Sequence, residues 1–313
     1  MRVLVTGGAG FIGSHVVDLL LNAGHSVSIV DNLATGRRSN LNPKATFYEV
    51  DIRDLDGLRR VYAAERPEVI DHHAAQLDVR RSVADPLFDA SVNVLGGLNL
   101  LNLAVEFGAR KFIHISSGGT VYGEPVYLPA DEKHPIQPEC PYGVSKFAIE
   151  MYLNVYQHIH GLDYSVLRYP NVYGPRQNPF GEAGVIAMFT KRMMNNESLT
   201  IFGDGEQLRD YVYVGDCARA NLMLLEQGGS EVFNLGSAAG TSVNTLFSEL
   251  KAITGYQQDA IYAPARPGEI YKTYLDAAKA RAAFGWEPSV HLTDGLTKTV
   301  EFFRQVEAGR VTG

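Results

Sequence analysis

Tyr142 and Lys146 stand four residues apart in the stretch Pro141-Tyr142-Gly143-Val144-Ser145-Lys146. Pro141 suits the first position of a helix, where its missing N–H costs nothing. At about 100° per residue the two side chains lie about 40° apart, one turn from each other. That spacing suits proton transfer. A free phenol titrates near about 10, and an opposite charge within about 4–6 Å lowers such a group by about 1–3 units. Lys146 supplies the charge and the helix N-terminus adds a favourable dipole. The expectation is a Tyr142 phenolate acting as general base near neutral pH. A solvated Tyr–Lys pair has the same spacing, so the surrounding elements must decide.

The helix carries two apolar stripes. One is Val144, Phe147, Ala148, Met151, Val155 and Ile159. The other is Ile149, Leu153 and Tyr156. A helix apolar on two sides is buried on two sides. One side would face a sheet and the other a second subunit, which predicts a homodimer through this helix and a second one at 85–107. That second helix is very apolar, with Asn93 as an isolated polar residue.

A nucleotide site is written at the N-terminus. Val3-Leu4-Val5 reads as a buried strand, Thr6-Gly7-Gly8-Ala9-Gly10-Phe11-Ile12-Gly13 as a turn, and Ser14 to Ala23 as a helix. Gly8-x-Gly10-x-x-Gly13 and Gly7-x-x-Gly10-x-x-Gly13 both fit dinucleotide fingerprints in the strand–turn–helix context they require. The glycines admit a pyrophosphate close to the backbone, and the helix N-terminus offers its free N–H groups. Asp31 ends the next strand, Val27 to Val30, where a carboxylate accepts hydrogen bonds from the adenosine ribose and repels a 2′-phosphate. That favours NAD over NADP, although Arg37 and Arg38 lie nearby. An oxidised nicotinamide would bring a further positive charge to Tyr142. The bland alternative is a strand-to-helix turn that binds nothing, with Asp31 as a turn former.

Strands at 46–50, 69–70, 111–116 and 163–168 alternate with helices, so the fold class is α/β, a Rossmann-type doubly wound parallel sheet. Asp54 reads as a helix N-cap. His72 and His73 invite a metal reading, but neighbours on a strand face opposite sides, so no metal is expected. After Tyr169 the alternation breaks. Strands at 212–214 and 231–235 read as returning to the first domain, and helices at 245–254, 277–284 and 296–308 as a second, smaller α/β substrate domain. The division is 1–170, with returning segments near 205–235, against 171–204 and 236–313.

The bulk numbers exclude several classes. The 313 residues carry a net charge of −7, which argues against a nucleic-acid surface. Two cysteines make no disulfide framework and suit a reducing cytoplasm. The residues before the glycines are too few for a signal peptide, and no apolar run reads as a bilayer span of about 18 residues. The expectation is a soluble cytoplasmic protein with neither membrane nor nucleic-acid partner.

These motifs, with Asp31-Asn32-Leu33, Asp51-Ile52, Arg168-Tyr169-Pro170-Asn171-Val172-Tyr173-Gly174-Pro175-Arg176, Arg209-Asp210-Tyr211-Val212 and Arg266-Pro267-Gly268-Glu269, resemble the extended short-chain dehydrogenase/reductases that modify nucleotide sugars. The resemblance covers nearly the whole chain and is nearest to the C4 epimerases of UDP-hexoses. It implies NAD contacts at Gly7, Gly10, Phe11, Ile12, Gly13, Asp31, Asn32, Asp51, Ile52, His73, Ala74, Ala75, Asn93, Ser116, Tyr142, Lys146 and Tyr169. It implies a UDP-sugar held by Gln76, Asn171, Thr200, Phe202, Arg209, Arg266, Glu269 and Thr273. Planar, permanently charged guanidinium groups suit a diphosphate. The implied reaction is a reversible epimerisation of a UDP-hexose through a 4-keto sugar, with Tyr142 as base and Lys146 beside it. Asp210 and Asp216 read as structural caps.

One position departs from the family pattern. Where a Ser or Thr commonly bonds the reacting hydroxyl, this chain has Gly118 followed by Gly119. Ser117 or Thr120 could cover the role, a water could, or Tyr142 could reach the substrate directly; the last is the expectation, with Ser117 and Thr120 as helpers. Related 4,6-dehydratases carry Asp-Glu at Gly119-Thr120, and decarboxylases a Glu at Thr120, so those chemistries lack their agents here. At the position of Thr273 the family often has a bulky Tyr; Thr leaves room for an N-acetyl group, as in UDP-GlcNAc and UDP-GalNAc. Alternatives are a UDP-uronate or UDP-pentose epimerase, or a non-catalytic NAD(H) sensor, which would need neither Tyr142 nor Lys146.

Overall fold

The computed structural model describes residues 1–180, 184–266 and 270–311. The strands are Arg2–Thr6 (β1), Ser26–Asp31 (β2), Thr46–Glu49 (β3), Val69–His72 (β4), Lys111–Ser117 (β5), Asp163–Tyr169 (β6), Asn171–Tyr173 (β7), Thr200–Phe202 (β8), Leu208–Arg209 (β9), Tyr211–Tyr213 (β10), Glu231–Asn234 (β11), Thr241–Ser242 (β12), Ile261–Ala263 (β13) and Lys272–Thr273 (β14). The helices are Phe11–Asn22 (α1), Leu55–Glu65 (α2), Val79–Ala84 (α3), Pro86–Ala90 (α4), Gly97–Glu106 (α5), Pro141–His160 (α6), Val185–Met194 (α7), Val214–Leu224 (α8), Val243–Thr254 (α9), Ala278–Phe284 (α10) and Leu292–Glu307 (α11).

Seven strands make one parallel sheet in the order β11-β6-β5-β4-β1-β2-β3. Strands covered on both faces are continuous apolar runs, and β1 shows why. Val3 and Val5 pack in the cluster under α1 and α8, while Leu4 packs in the opposite cluster with Leu58, Leu101 and Leu153. Each such side chain contributes about 1.5–3 kcal/mol on burial. The order of strands reverses between β1 and β4. That is the switch point where the carboxyl ends of a doubly wound sheet open a crevice.

Asp54 caps α2 by accepting from Gly57 N at 2.9 Å, and Pro141 opens α6. Beyond β6 a third cluster, with Tyr173, Phe189, Leu199, Leu246 and Val300, forms the core of the smaller part. The strand expected at 212–214 lies at 211–213, and Val212 packs in the cluster beneath α1 and α8. Tyr211–Tyr213 pairs with β7 in a separate two-stranded ladder, and Val214 already begins α8. Residues 231–234 do join the main sheet, against β6.

The helix expected at 85–107 is one run, Pro86–Glu106, interrupted by a π turn at Ser91–Gly96. Contrary to the reading of the sequence, this run is long and apolar enough to cross a bilayer by length and composition. In the fold it serves as a core helix: Leu100, Leu101, Leu103 and Ala104 are fully buried, and Asn99 donates to Ile52 O at 3.1 Å.

Candidate active site

The residues singled out in the sequence converge on the carboxyl edge of the sheet. Gly7 follows β1, Asp31 ends β2, His73 to Gln76 follow β4, Ser117 ends β5 and Tyr169 ends β6. Two glycines test whether a dinucleotide fits. Gly7 has φ +71°, and a Cβ on it would lie 2.7 Å from Ala74 N. A Cβ on Gly13 would lie 2.4 Å from Gly7 O. The turn is therefore as tight as the fingerprint requires. Gly10 is the N-cap of α1 and no side chain caps that helix, which leaves its N-terminal amides for a phosphate. The residues present fit NAD.

At the adenosine end, Asp31 accepts from Ala9 N at 3.0 Å and from Leu33 N at 2.8 Å. Burial raises its carboxyl above the ordinary value. Asn32 donates to Asp51 Oδ2 at 2.8 Å. Asp51 is also gripped by Arg53 at 2.9 and 2.7 Å, and that bond holds its carboxyl well below the usual range. Ile52 is buried beside them. Phe11 and Ile12 open α1. The two histidines part as alternation demands: His72 Nδ1 lies 2.8 Å from Thr6 Oγ1, and His73 Nε2 lies 3.0 Å from Asp71 Oδ1. Ala74 N donates to Thr6 Oγ1 at 3.2 Å, and Ala75 continues towards Gln76. Tyr169 is buried, and its hydroxyl accepts from Asn221 Nδ2 at 2.5 Å.

At the chemical end, Tyr142 and Lys146 lie one turn apart on α6, and the Ser117 hydroxyl is near enough to the Tyr142 phenol to draw its pKa down. The lowering expected from Lys146, an oxidised nicotinamide and the helix dipole has to work against burial. Burial pushes the phenol well above its ordinary range, the Ser117 hydroxyl draws it down, and the Asp89 carboxylate and the Cys140 thiol push it up. Burial also lowers Lys146 to about 8, against the pull of Asp89 and Glu150. Desolvation disfavours both charged forms, and spacing in a sequence does not report it. Thr120 Oγ1 is buried with no partner, in the turn where Thr120 N and Val121 N donate to Ser117 O.

A buried polar network holds this end, and the sequence showed only part of it. Asn93 donates to Asp89 Oδ1 at 3.1 Å, to Ser145 Oγ at 3.1 Å and to Gln76 O at 3.0 Å, and its Oδ1 accepts from Gln76 N at 2.8 Å. Gln76 Nε2 is committed to Asp78 O at 2.8 Å and Asp89 Oδ1 at 3.0 Å. Asn93 is thus not isolated: Asp89, four residues before it in an apolar run, was the missed signal. Ser116 Oγ donates to Glu150 Oε1 at 2.5 Å, so its side chain is engaged by α6. Arg168 grips the same carboxylate at 3.1 and 2.5 Å and donates to the Tyr122 hydroxyl at 2.8 Å.

The remaining predicted residues come from the smaller part. Asn171 opens β7, with Oδ1 3.8 Å from where a Gly119 Cβ would sit. Thr200 and Phe202 bound β8, and the Arg266 guanidinium stacks 4.0 Å from the Phe202 ring centroid. Thr273 pairs with Arg209 between β14 and β9 and is buried. Glu269 lies outside the described residues. Asp210 and Asp216 are structural. Asp210 accepts from Ser237 N and Leu275 N at 3.0 Å each, and Asp216 from Ser289 N and Val290 N at 3.0 Å each. Among the described residues no three His, Cys, Asp or Glu side chains are grouped to hold a metal.

The profile of the NAD dependent epimerase/dehydratase family matches residues 3–236. A UDP-glucose 4-epimerase of Mycolicibacterium smegmatis is 45% identical over 310 residues, covering 97% of this chain and 99% of its own. The crystal structure of UDP-glucose 4-epimerase from Thermotoga maritima with UDP-glucose is 51% identical with a TM-score of 0.96, covering 98% of this chain and 100% of that one. The Thermus thermophilus UDP-glucose 4-epimerase in complex with NAD is 44% identical with a TM-score of 0.92, covering 97% and 99%.

Proposed function

The chain belongs to the NAD dependent epimerase/dehydratase family, and from that premise we propose that it interconverts UDP-glucose and UDP-galactose by reversible epimerisation at C4. The observation that carries this reading is the half-buried Tyr142 and Ser117 beside the buried Lys146 at the open carboxyl edge, next to the glycine cradle. NAD, when bound, supplies the acceptor and donor of the C4 hydride through a 4-keto sugar, together with a positive charge. Gly7, Gly10 and Gly13 let its phosphates approach α1, and Asp31 receives the adenosine ribose.

Tyr142 takes the proton of the sugar 4-hydroxyl at its phenol oxygen and returns it at the end. Ser117, whose hydroxyl draws the Tyr142 pKa down, would bond that oxygen during the reaction. Lys146 stabilises the phenolate as it forms. A base in a dry site is matched to the substrate hydroxyl only while it is so supported. Gly119 and Thr120 bring no carboxylate for an elimination or decarboxylation. Arg209 and Arg266 would hold the diphosphate, and Phe202 the base. Residues 1–170 with 205–235 form the cofactor part, and 171–204 with 236–313 the nucleotide-sugar part. Purified protein incubated with UDP-galactose is expected to yield UDP-glucose on separation of the products; unchanged UDP-galactose rejects the reading.

The reading extends to N-acetylated sugars, because the resemblance puts the small Thr273 at the position where the family often has a bulky Tyr. No conversion of UDP-GlcNAc by protein active on UDP-galactose would remove that extension. It extends also to a homodimer. Ile149 and Leu153 of α6 are fully buried against the fold, whereas Val144, Met151, Val155 and Ile159 are exposed, as are Leu87 and Leu95 of the neighbouring helical run. Such a contiguous apolar face suits a second copy. A monomer mass by light scattering after size exclusion would refute the dimer. Cys140 and Cys217 are free, which suits a reducing cytoplasm.

A further inference from the structure

We propose that Asp89 is a positioning residue of this site: its buried carboxylate orients the Gln76 and Asn93 amides and is the counter-charge of Lys146. The proposal rests on the roles given above to Tyr142 and Lys146. Asp89 lies in α4, immediately before the π turn, and is 1% exposed. π turns of this kind recur at functional sites.

The donors on Asp89 Oδ1 are two neutral amides, Gln76 Nε2 at 3.0 Å and Asn93 Nδ2 at 3.1 Å. They satisfy hydrogen-bonding capacity without cancelling the charge. The other carboxylate near Lys146 differs. Glu150 is held by two Arg168 nitrogens and by Ser116, so its charge is already matched by a guanidinium. Lys146 is 3% exposed. A buried cation and a buried anion without partners are both strongly unfavourable. Asp89 favours the Lys146 ammonium across the site, and Asn93, which bonds Asp89, ties it to Ser145, the neighbour of Lys146, at 3.1 Å.

The other groups facing the pair do not replace that anion. His72 from β4 and His114 from β5 are buried and pushed well below the usual imidazole value, first by burial and then by Lys146 itself, so they stay neutral. Tyr142 and Cys140, from the start of α6 and the residue before it, are driven up by burial and also stay neutral. A negative charge favours the protonated form of every neighbour. Asp89 therefore supports the Lys146 ammonium and opposes the Tyr142 phenolate. Its removal moves both titrations the same way, towards acid.

The test is Asp89→Asn, which keeps the size and an acceptor oxygen. In protein labelled with [ε-13C]lysine, the Lys146 signal is identified by its loss in Lys146→Arg and titrated by nuclear magnetic resonance. The expected result is a Lys146 midpoint lower by about one pH unit or more, with the whole pH profile of UDP-galactose conversion moved to acid by a similar amount. Asp89→Glu is expected to keep the original midpoint. A midpoint that stays in place while activity falls would overturn the proposal and leave Asp89 a structural strut. If Asp89→Asn does not fold, the unaltered protein still decides: Lys146 charged near neutral pH supports the proposal, and Lys146 neutral there overturns it. The lysine signal needs no substrate. A protein that leaves UDP-galactose unchanged would therefore sink the functional reading, while the titration judges Asp89 separately.

Discussion

Replacing Gly118 by Thr would restore the hydroxyl that the wider family carries at this position, and the packing sets its cost. A Cβ on Gly118 would lie 2.4 Å from Leu275 Cδ1, 3.2 Å from Cδ2 and 3.3 Å from Cγ, against an ordinary carbon contact of about 3.5–4.0 Å. Leu275 has little room to retreat. It is 1% exposed and packs with Val121, Tyr122 and Ala130. Its N–H donates to Asp210 at 3.0 Å, and its carbonyl accepts from Ala238 N at 3.0 Å. Overpacking of this kind costs about 1–3 kcal/mol. Leu275→Ala alone should cost about 2–5 kcal/mol through the cavity it leaves. The two changes together should recover about 0.5–3 kcal/mol of the summed penalty, because the threonine occupies that cavity. Urea unfolding followed by the fluorescence of Trp286, the one tryptophan and fully buried, measures all three variants. A neutral Gly118→Thr, or penalties that simply add, would refute the idea that Leu275 fills the place of the missing side chain.

Four further outcomes follow from the site. Tyr142→Phe should lower UDP-galactose conversion by about 10²–10⁴-fold or more, the worth of a positioned acid–base group. Ser117→Ala should lower it only about 2–12-fold, the worth of one net hydrogen bond; equal losses in steady-state rates would overturn the division of roles. Because burial lowers Lys146 to about 8 and only its protonated form is charged, kcat should fall as pH rises through about 8; a profile flat across that range contradicts the role of the ammonium. Arg168→Met leaves the fully buried Glu150 carboxylate without its guanidinium and should cost about 3–5 kcal/mol in urea unfolding, part of it recovered by adding Glu150→Gln.

What the sequence made legible was what period and local chemistry control. Alternating apolar runs located the strands of the parallel sheet, the glycine fingerprint located the cradle at the end of β1, and the four-residue spacing placed Tyr142 beside Lys146. The rest depends on burial and long-range pairing. Val212 reads as a strand in any context, and only packing decides that it pairs with Val172 and not with the main sheet. The spacing of Tyr142 and Lys146 does not disclose that burial drives the phenol up and the amine down. The two apolar sides of α6 were legible, but not which of them the protomer leaves exposed. The Ser116–Glu150–Arg168–Tyr122 network joins residues up to 52 positions apart in sequence and leaves no local pattern. Asp89 did leave one, a carboxylate one turn before Asn93 in an otherwise apolar helix.

The central claim is that one hydride leaves and returns to C4 of the same sugar while Tyr142 carries the proton. The most direct measurement is conversion of UDP-galactose deuterated at C4, with the UDP-glucose formed analysed by mass spectrometry. The account predicts that the product keeps its deuterium. Product formed with the label lost to solvent would contradict it.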